Sequence, residues 1–302
     1  MQPSNIRTAI IAGILAVSLA GCGPQITKAL KICPGKATTE EAITALGRQV
    51  KNLVPLRASG ECTYVYDVNG RKHEERLNVQ ARIEPPADVY LQGGSIIGKV
   101  VELGANDREF WLELRPKEIS TYLWGVWADE GVRACLSKLW IGPQTWLEAF
   151  GMTKAVSSAD VSGTWELSHE GPFDILSRKS RSGILTKRVY IYCCDYLIRK
   201  IEYFDDAGNE AMVVELDDYV PVSGWHGQKR SVAMISSEWK VPRKINIKNS
   251  KNEMVDVELK NVAEGQFNDT QRKLWFNRPV PQGFDHIGRM TSACDFVEQN
   301  PK

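Results

Sequence analysis

The chain reads as a mainly β protein of the α+β class. Its predicted form is a large curved antiparallel sheet, a half-open β-barrel of about eleven strands, with an N-terminal amphipathic helix and a short second helix covering the concave face. Three observations predict this. Apolar residues recur at spacings of three and four over residues 39–54, a second helical patch at 143–150 opens on proline and ends before glycine, and the predicted strands alternate with period two. Turn residues separate the alternating segments at short intervals, which favours an antiparallel meander over long crossover connections. No repeat of fixed period occurs, which argues against a propeller.

The first helix runs from Thr38 or Thr39 to about Val54. Thr38 followed three residues later by Glu41 matches a capping box, and Pro55 stops the helix. Ala42, Ile43, Leu46, Val50 and Leu53 make one stripe, which must lie on something. The alternation then becomes two: Cys62, Tyr64, Tyr66 and Val68 lead to Asn69-Gly70, a strong hairpin turn, and Leu77, Val79, Ala81 and Ile83 return. Asn78, Gln80 and Arg82 occupy the other face of that strand, and Pro85-Pro86 ends it because proline donates nothing to a ladder. Strands follow at 89–91, 99–103, 109–114 and 122–127, with turns at Gly93-Gly94 and at 105–107. The short helix at 143–150 opens on proline, tolerated in a first turn, and stops before Gly151. Strands resume at 164–168, 184–192, 196–204, 210–216, 229–235, 243–247 and 254–262. Turns fall at 205–209 and 249–252, and Asp217-Asp218 is expected to end a strand. After Leu274 an irregular, proline-bearing tail is expected to wrap the body. The concave side of a strongly curved sheet must be filled, and imperfect filling by helices leaves an apolar cavity.

Ahead of the body lies a short apolar stretch, residues 8–18, preceded by Arg7 and closed by Leu19-Ala20-Gly21-Cys22. Export-signal apolar regions run ~7–15 residues and end in small residues. A spanning helix needs about 20 apolar residues, more than this stretch holds. A cysteine directly after Leu-Ala-Gly resembles the bacterial lipoprotein signal, in which a diacylglyceryl group is attached to the cysteine before cleavage. A plain export signal with a chance cysteine, or an uncleaved anchor, is the competing reading. Two or three acyl chains on Cys22 would hold the protein on a membrane, since each buried methylene contributes roughly 0.8 kcal/mol. The resulting organisation is a signal (1–21), a tether (22–37), the β-rich domain (38–274) and the tail (275–302). Gly23 after the cysteine, rather than the aspartate associated with inner-membrane retention, leans towards the outer membrane, facing the periplasm.

Composition narrows the function classes. Hydrophobic content of 43% and charged content of 25% are those of an ordinary globular protein. A net charge of +1 creates no field that would draw nucleic acid, and no basic run marks a lipid-binding patch. Besides Cys22 there are Cys33, Cys62, Cys135, Cys193, Cys194 and Cys294, which allow 15 pairings in an exported protein. No C-x-x-C occurs, so neither a zinc ribbon nor a thioredoxin-type motif is present. Cys193 and Cys194 would point to opposite strand faces and not bond to each other. One bridge at most is expected, with Cys33 to Cys294 attractive because both flank the core; several of the others read as small buried apolar residues.

Signals for catalysis are poor. No Gly-x-Ser-x-Gly elbow exists, and Gly93-Gly94-Ser95 lacks its spacing. His73-Glu74-Glu75 lacks the second histidine of a zinc-protease helix, and it sits on a strand. His169 and His226 fall in loops, and 205–210 lacks the distant glutamate of a calcium loop. No catalytic residue, metal site or cofactor is therefore expected. The better candidates are aromatic: Phe110, Trp111, Tyr122, Trp124, Trp127, Trp140 and Trp146 fall within 37 residues. All of these but Trp140 (Phe110, Trp111, Tyr122, Trp124, Trp127 and Trp146) are candidate cavity-lining residues, with an ordinary core as the alternative. Pockets and cores are both apolar, so composition does not separate the two.

The order of elements resembles the LolA/LolB lipoprotein-localisation family. An amphipathic helix precedes the strand Ala58-Ser59-Gly60-Glu61-Cys62-Thr63-Tyr64. A long hairpin then leads to Pro85-Pro86-Ala87-Asp88-Val89-Tyr90-Leu91, similar to that family's P-x-x-x-Y strand. Asn106 to Leu112 stands where relatives carry Asp-Gly and an aromatic pair, and Arg115-Pro116-Lys117-Glu118 follows as a turn before a strand ending Trp124-Gly125. The similarity covers roughly residues 38–262. It implies a half-open barrel whose concave apolar face, lidded by helices, accommodates acyl chains. Cys22 brings the chain nearer the lipidated receptor type than the soluble carrier. The body is longer than either, and neither the carrier's lipid-contacting arginine nor the receptor's exposed apolar loop has an evident counterpart. Two functions follow as expectations: a membrane-anchored envelope factor binding acyl lipid or other lipoproteins in its cavity, or a non-catalytic interaction lipoprotein docking partners on a curved sheet with a filled core.

Overall fold

The computed structural model describes residues 30–49, 53–96, 98–129, 141–152, 163–222, 239–291 and 295–299. Cys22 and its signal, Cys135, Cys294, Trp140, His226 and the strand expected at 229–235 lie outside these residues. Every described element belongs to one compact unit, Ile32–Lys302.

Helix α1 (Thr39–Gln49) begins where its capping residues predict, with Glu41 N–H donating to Thr38 Oγ1 at 3.2 Å and Glu41 Oε2 accepting from Ala37 N–H. Next come β1 (Leu56–Val68), β2 (Arg71–Glu84), β3 (Asp88–Ser95), β4 (Gly98–Ala105), β5 (Glu109–Leu114) and β6 (Thr121–Val126). After helix α2 (Pro143–Ala149) follow β7 (Gly163–Glu170), β8 (Phe173–Ser180), β9 (Leu185–Tyr192), β10 (Ile198–Phe204), β11 (Glu210–Pro221), β12 (Lys240–Asn249) and β13 (Met254–Glu264). Helix α3 (Asp269–Phe276), β14 (His286–Met290) and β15 (Phe296–Glu298) complete the described elements.

Among the described residues, fifteen strands make one sheet, ordered β15-β14-β6-β5-β4-β3-β2-β1-β13-β12-β11-β10-β9-β8-β7. The β1–β2 hairpin turns on Asn69 and Gly70, both with positive φ (55° and 78°), the conformation that an Asn-Gly turn selects. The chain runs out from β1 to β6 on one side of this hairpin. β13 then pairs antiparallel with β1, so the second half spreads from the other side. Strand-to-strand alternation sends Leu56, Ala58, Cys62, Leu77, Ala81, Val214, Ile245, Ile247 and Val257 into one contiguous core, around which the sheet curves.

Four expectations need correction. Among the described residues the strands number fifteen rather than about eleven; the sheet is curved and open as expected, with β15 and β7 at its edges rather than closed on itself. β8 escapes prediction because its buried residues Asp174, Ile175 and Leu176 are consecutive, so the alternation is lost. The tail is not wholly irregular: β14 pairs parallel with β6, and β15 pairs antiparallel with β14. Cys33 bonds Cys194, not Cys294. Chain order misled here, because the turn after β9 brings Cys194 back to the segment that precedes α1; Lys36 N–H also donates to Asp174 of β8 at 2.8 Å. Asp217-Asp218 lies within β11 rather than at its end, with Asp218 in a left-handed conformation (φ 54°) and its carboxylate on Arg243 Nε at 3.0 Å. No helix among the described residues is long and apolar enough to cross a membrane.

Candidate functional site

Helix α2 is short because its ends are fixed by residues that cannot continue it. Pro143 occupies the first turn, and Gly151 follows the last in a left-handed conformation (φ 66°). Trp146 and Phe150, one turn apart, stack at 6.2 Å between ring centroids and face the sheet together with Ile141. The opposing wall is made by inward positions of five strands: Cys62 and Tyr64 of β1, Val79 and Ala81 of β2, Leu91 of β3, Leu103 of β4 and Leu112 of β5. Val255, Val257 and Leu259 of β13 close one side. Between helix and sheet lies an apolar cavity of about 50 Å³, counted as the space that the centre of a water molecule can reach.

The walls carry no charge. Burial, with Asp256 adding to it, pushes the Cys62 thiol up to about 12, so it stays protonated and behaves as an apolar residue. Burial likewise raises the Tyr64 phenol well above its ordinary range. The charged group of the region belongs to the helix itself. Glu148 accepts hydrogen bonds from Gln144 Nε2 at 2.7 Å, from Tyr203 OH of β10 and from the ammonium of Lys187 of β9. The Glu148 and Lys187 side chains are 6% and 9% exposed, so this ion pair is inside the core. It ties α2 to β9 and β10 while Trp146 and Phe150 tie it to the opposite half of the sheet.

Of the six candidate lining residues, Trp146 lines the cavity and the other five do not. Phe110 packs with Ala105 and Met290 and stacks on Trp127 at 5.1 Å. Trp111 and Tyr122 pack with Phe284 and Ile287, and Trp124 rests against that cluster. For Trp111, Tyr122 and Trp124 the reason is strand alternation: Leu112 turns inward, so its neighbour Trp111, with Trp124 opposite, turns to the outer face. Phe110 and Trp127 share the parity of Leu112 and are taken up by Met290 instead. On the outer face the Trp111 ring crosses Gly104, where an added Cβ would meet Trp111 Cζ2 at 2.0 Å, so only glycine fits beneath it. Trp111 Nε1 donates to Glu102, whose other oxygen accepts from Tyr90 OH at 2.8 Å. The sheet side of the cavity is lined mostly by ordinary aliphatic strand positions. Their signal in the sequence is parity along each strand, not aromatic density.

A second polar corner lies near the disulfide. Asp174, fully buried, accepts from Lys36 N–H, His169 Nδ1 at 2.9 Å, Cys193 Sγ at 3.3 Å and Tyr196 OH at 3.1 Å. Burial by itself would raise this carboxyl; the four donors outweigh it and hold Asp174 below the usual carboxylate range. Burial and Asp174 push the Cys193 thiol up to about 11, which keeps it unreactive beside the Cys33–Cys194 bond. His169 is thereby part of a structural cluster. Among the described residues no group of His, Cys, Asp and Glu is placed to hold a metal ion.

No protein-family model matches the chain, and no curated protein does. Solved structures of similar fold do exist. One is a LolA superfamily protein from Nitrosomonas europaea, at 9% identity and TM-score 0.46, covering 78% of this chain and 97% of that one. A DUF1329 family protein from Desulfovibrio piger matches at 8% identity and TM-score 0.48, covering 78% and 97%. A putative outer membrane lipoprotein-sorting protein domain from Vibrio parahaemolyticus matches at 10% identity and TM-score 0.46, covering 76% and 94%.

Proposed function

We propose that this protein is a non-catalytic lipoprotein of the bacterial envelope that receives acyl chains, free or carried by another lipoprotein, between α2 and the sheet. The observation that carries this reading is the uncharged cavity under a short helix with breaking residues at both ends. At about 50 Å³ it holds a few water-sized bodies, each needing roughly 10–15 Å³, and no acyl chain. Binding therefore requires α2 to move away from Leu103 and Leu112, with the chain taking the place of Trp146 and Phe150. Each methylene transferred into such a space contributes roughly 0.8 kcal/mol, enough to offset the loss of those two contacts. Lipidation of Cys22 would hold the cavity at a membrane surface, which in this reading is the periplasmic face of the outer membrane.

The test uses the full chain carrying Cys22→Ser, so that its own anchor is absent. Native mass spectrometry after expression should recover bound acyl lipid, and a fluorescent fatty acid should be taken up and displaced by an unlabelled one. Trp146→Ala, which widens the space beneath α2, should raise that uptake. If no lipid is recovered and neither protein takes up the probe, the cavity is only a packing defect. The chain then reads as a docking lipoprotein with a filled core.

A further inference from the structure

The outer face of β1 and β2, opposite the cavity, carries a feature that acyl binding does not use. Arg57 and Arg82 are directly opposed across the β1–β2 ladder, with Ala263 beyond Arg57 and Tyr90 beyond Arg82 in the same row. Like charges so placed are destabilising. The adjacent row is Asn261, Ser59 and Gln80. These two rows line one surface groove, in which Gln80 and Asn261 are exposed and no lining residue bears a carboxylate.

Arg82 is held in place by rings rather than by an acid. Its guanidinium lies 4.2 Å from the Trp275 ring centroid and 5.6 Å from that of Tyr90. Nη2 donates to the neutral amide oxygen of Gln80 at 2.6 Å, while Nε and Nη1, both buried, meet no acceptor among the described residues. The nearby Glu84 does not serve it, because both Glu84 oxygens accept from Arg272, at 2.8 and 2.7 Å. Burial chiefly, opposed by Tyr90 and helped by the Arg57 charge, sets Arg82 below its ordinary range. A planar guanidinium held rigid and facing a second cation suits an oxyanion. An oxyanion would present a full negative charge and a bidentate partner where the neutral Gln80 amide offers one dipole.

We infer that the groove over Arg57 and Arg82 is a binding site for a phosphate group. Five donor side chains converge there: the two arginines, Gln80, Asn261 and the Ser59 hydroxyl. That number fits the oxygens of a tetrahedral phosphate better than the two of a carboxylate. The phosphate comes either from a free phosphate compound or from a phospholipid headgroup. The inference is independent of the acyl cavity, which lies on the other face of the sheet.

The full chain carrying Cys22→Ser is titrated calorimetrically with inorganic phosphate. It is also sedimented with phosphatidylcholine vesicles with and without phosphatidylglycerol. Binding should be seen, and Arg57→Gln with Arg82→Gln should weaken it about tenfold or more. Arg76→Gln, an exposed arginine farther along β2, should leave it unchanged. Arg57→Gln alone guards against misfolding of the double variant: it leaves the ring-held Arg82 in place, so the protein should still melt cooperatively while phosphate binding falls. Binding of inorganic phosphate assigns the free compound as source, and binding only to phosphatidylglycerol vesicles assigns the headgroup. Absence of both, or binding that survives in both arginine variants, overturns the site. Failure of the acyl-lipid test leaves this result untouched, since the two assays read different faces.

Discussion

Single carboxylates in this protein are driven in opposite directions by where the chain places them. Asp174 has four donors and stays ionised, whereas Asp88, at the start of β3, has neighbours of its own sign. Burial raises Asp88 first, Glu84 and Asp107 add to it, and Arg272 opposes them, leaving the carboxyl at about 6. Its value in the unfolded chain is ~3.9. The folded state therefore prefers the protonated acid. Its contribution to stability is complete below about pH 4 and is lost as pH rises through 6. Asp88→Asn should accordingly raise stability at pH 7.5, by roughly 1 kcal/mol once solvent screening of this half-buried group is allowed for, and change little at pH 4. Thermal melts of the two proteins at both pH values check this; equal gains at pH 4 and 7.5 would falsify the electrostatic origin. Neither environment was legible in the sequence, because Asp88 is raised first by burial, which the fold decides, and Asp174 is held by partners distant along the chain, Lys36 and Tyr196.

Elements were legible where their signal is local. Thr38 and Glu41 start α1 as read, Asn69-Gly70 turns the first hairpin, and Pro143 with Gly151 brackets α2. Helix α3 has an equally local signal, a capping box of Asn268 and Gln271, yet it escapes prediction because its eight residues are mostly polar and bury only Phe276, so no apolar stripe marks it. What no local pattern conveys is how an element is fastened. Helix α2 is only seven residues long, too short to persist without tertiary contacts, and its buried Glu148–Lys187 pair is the most consequential of these. Removing one member of a buried pair costs about 3–5 kcal/mol, whereas replacing both by apolar residues of similar volume is close to neutral. Glu148→Gln should thus lower stability in urea by several kcal/mol, and Glu148→Leu with Lys187→Met should recover most of that loss. If the double variant is no more stable than the single ones, Glu148 acts through Gln144 and Tyr203 rather than through the charge of Lys187.

At the scale of the whole molecule, the sheet has two apolar faces and covers them by different means. The inner face is filled by its own curvature and by α1 and α2. The outer face over β4 to β6 is covered by the chain that follows β13. That segment lays Pro279 where its carbonyl accepts from Tyr122 OH at 2.9 Å. Phe284 then seats on Tyr122 at 5.5 Å, and β14 runs parallel to β6. Arg278 and Arg115 clamp it, over the Trp124 and Phe284 rings respectively. Aromatic density between residues 110 and 127 therefore marks the seat of the tail rather than the ligand cavity, and this is why reading it as a lining misplaced five of six residues. A parallel pairing of β14 with a strand some 160 residues earlier has no signature in either segment alone. Because Phe284 is 8% exposed, Phe284→Ala should cost about 3–5 kcal/mol. It should also loosen the cover over Trp111 and Tyr122, so tryptophan emission should shift to longer wavelength and protease cleavage should appear first after residue 277. Fatty-acid uptake, read on the opposite face, should persist wherever the variant is still folded. Loss of uptake in a folded Phe284→Ala protein would mean that the two faces are coupled through β4 and β5, and that the tail takes part in holding the cavity open.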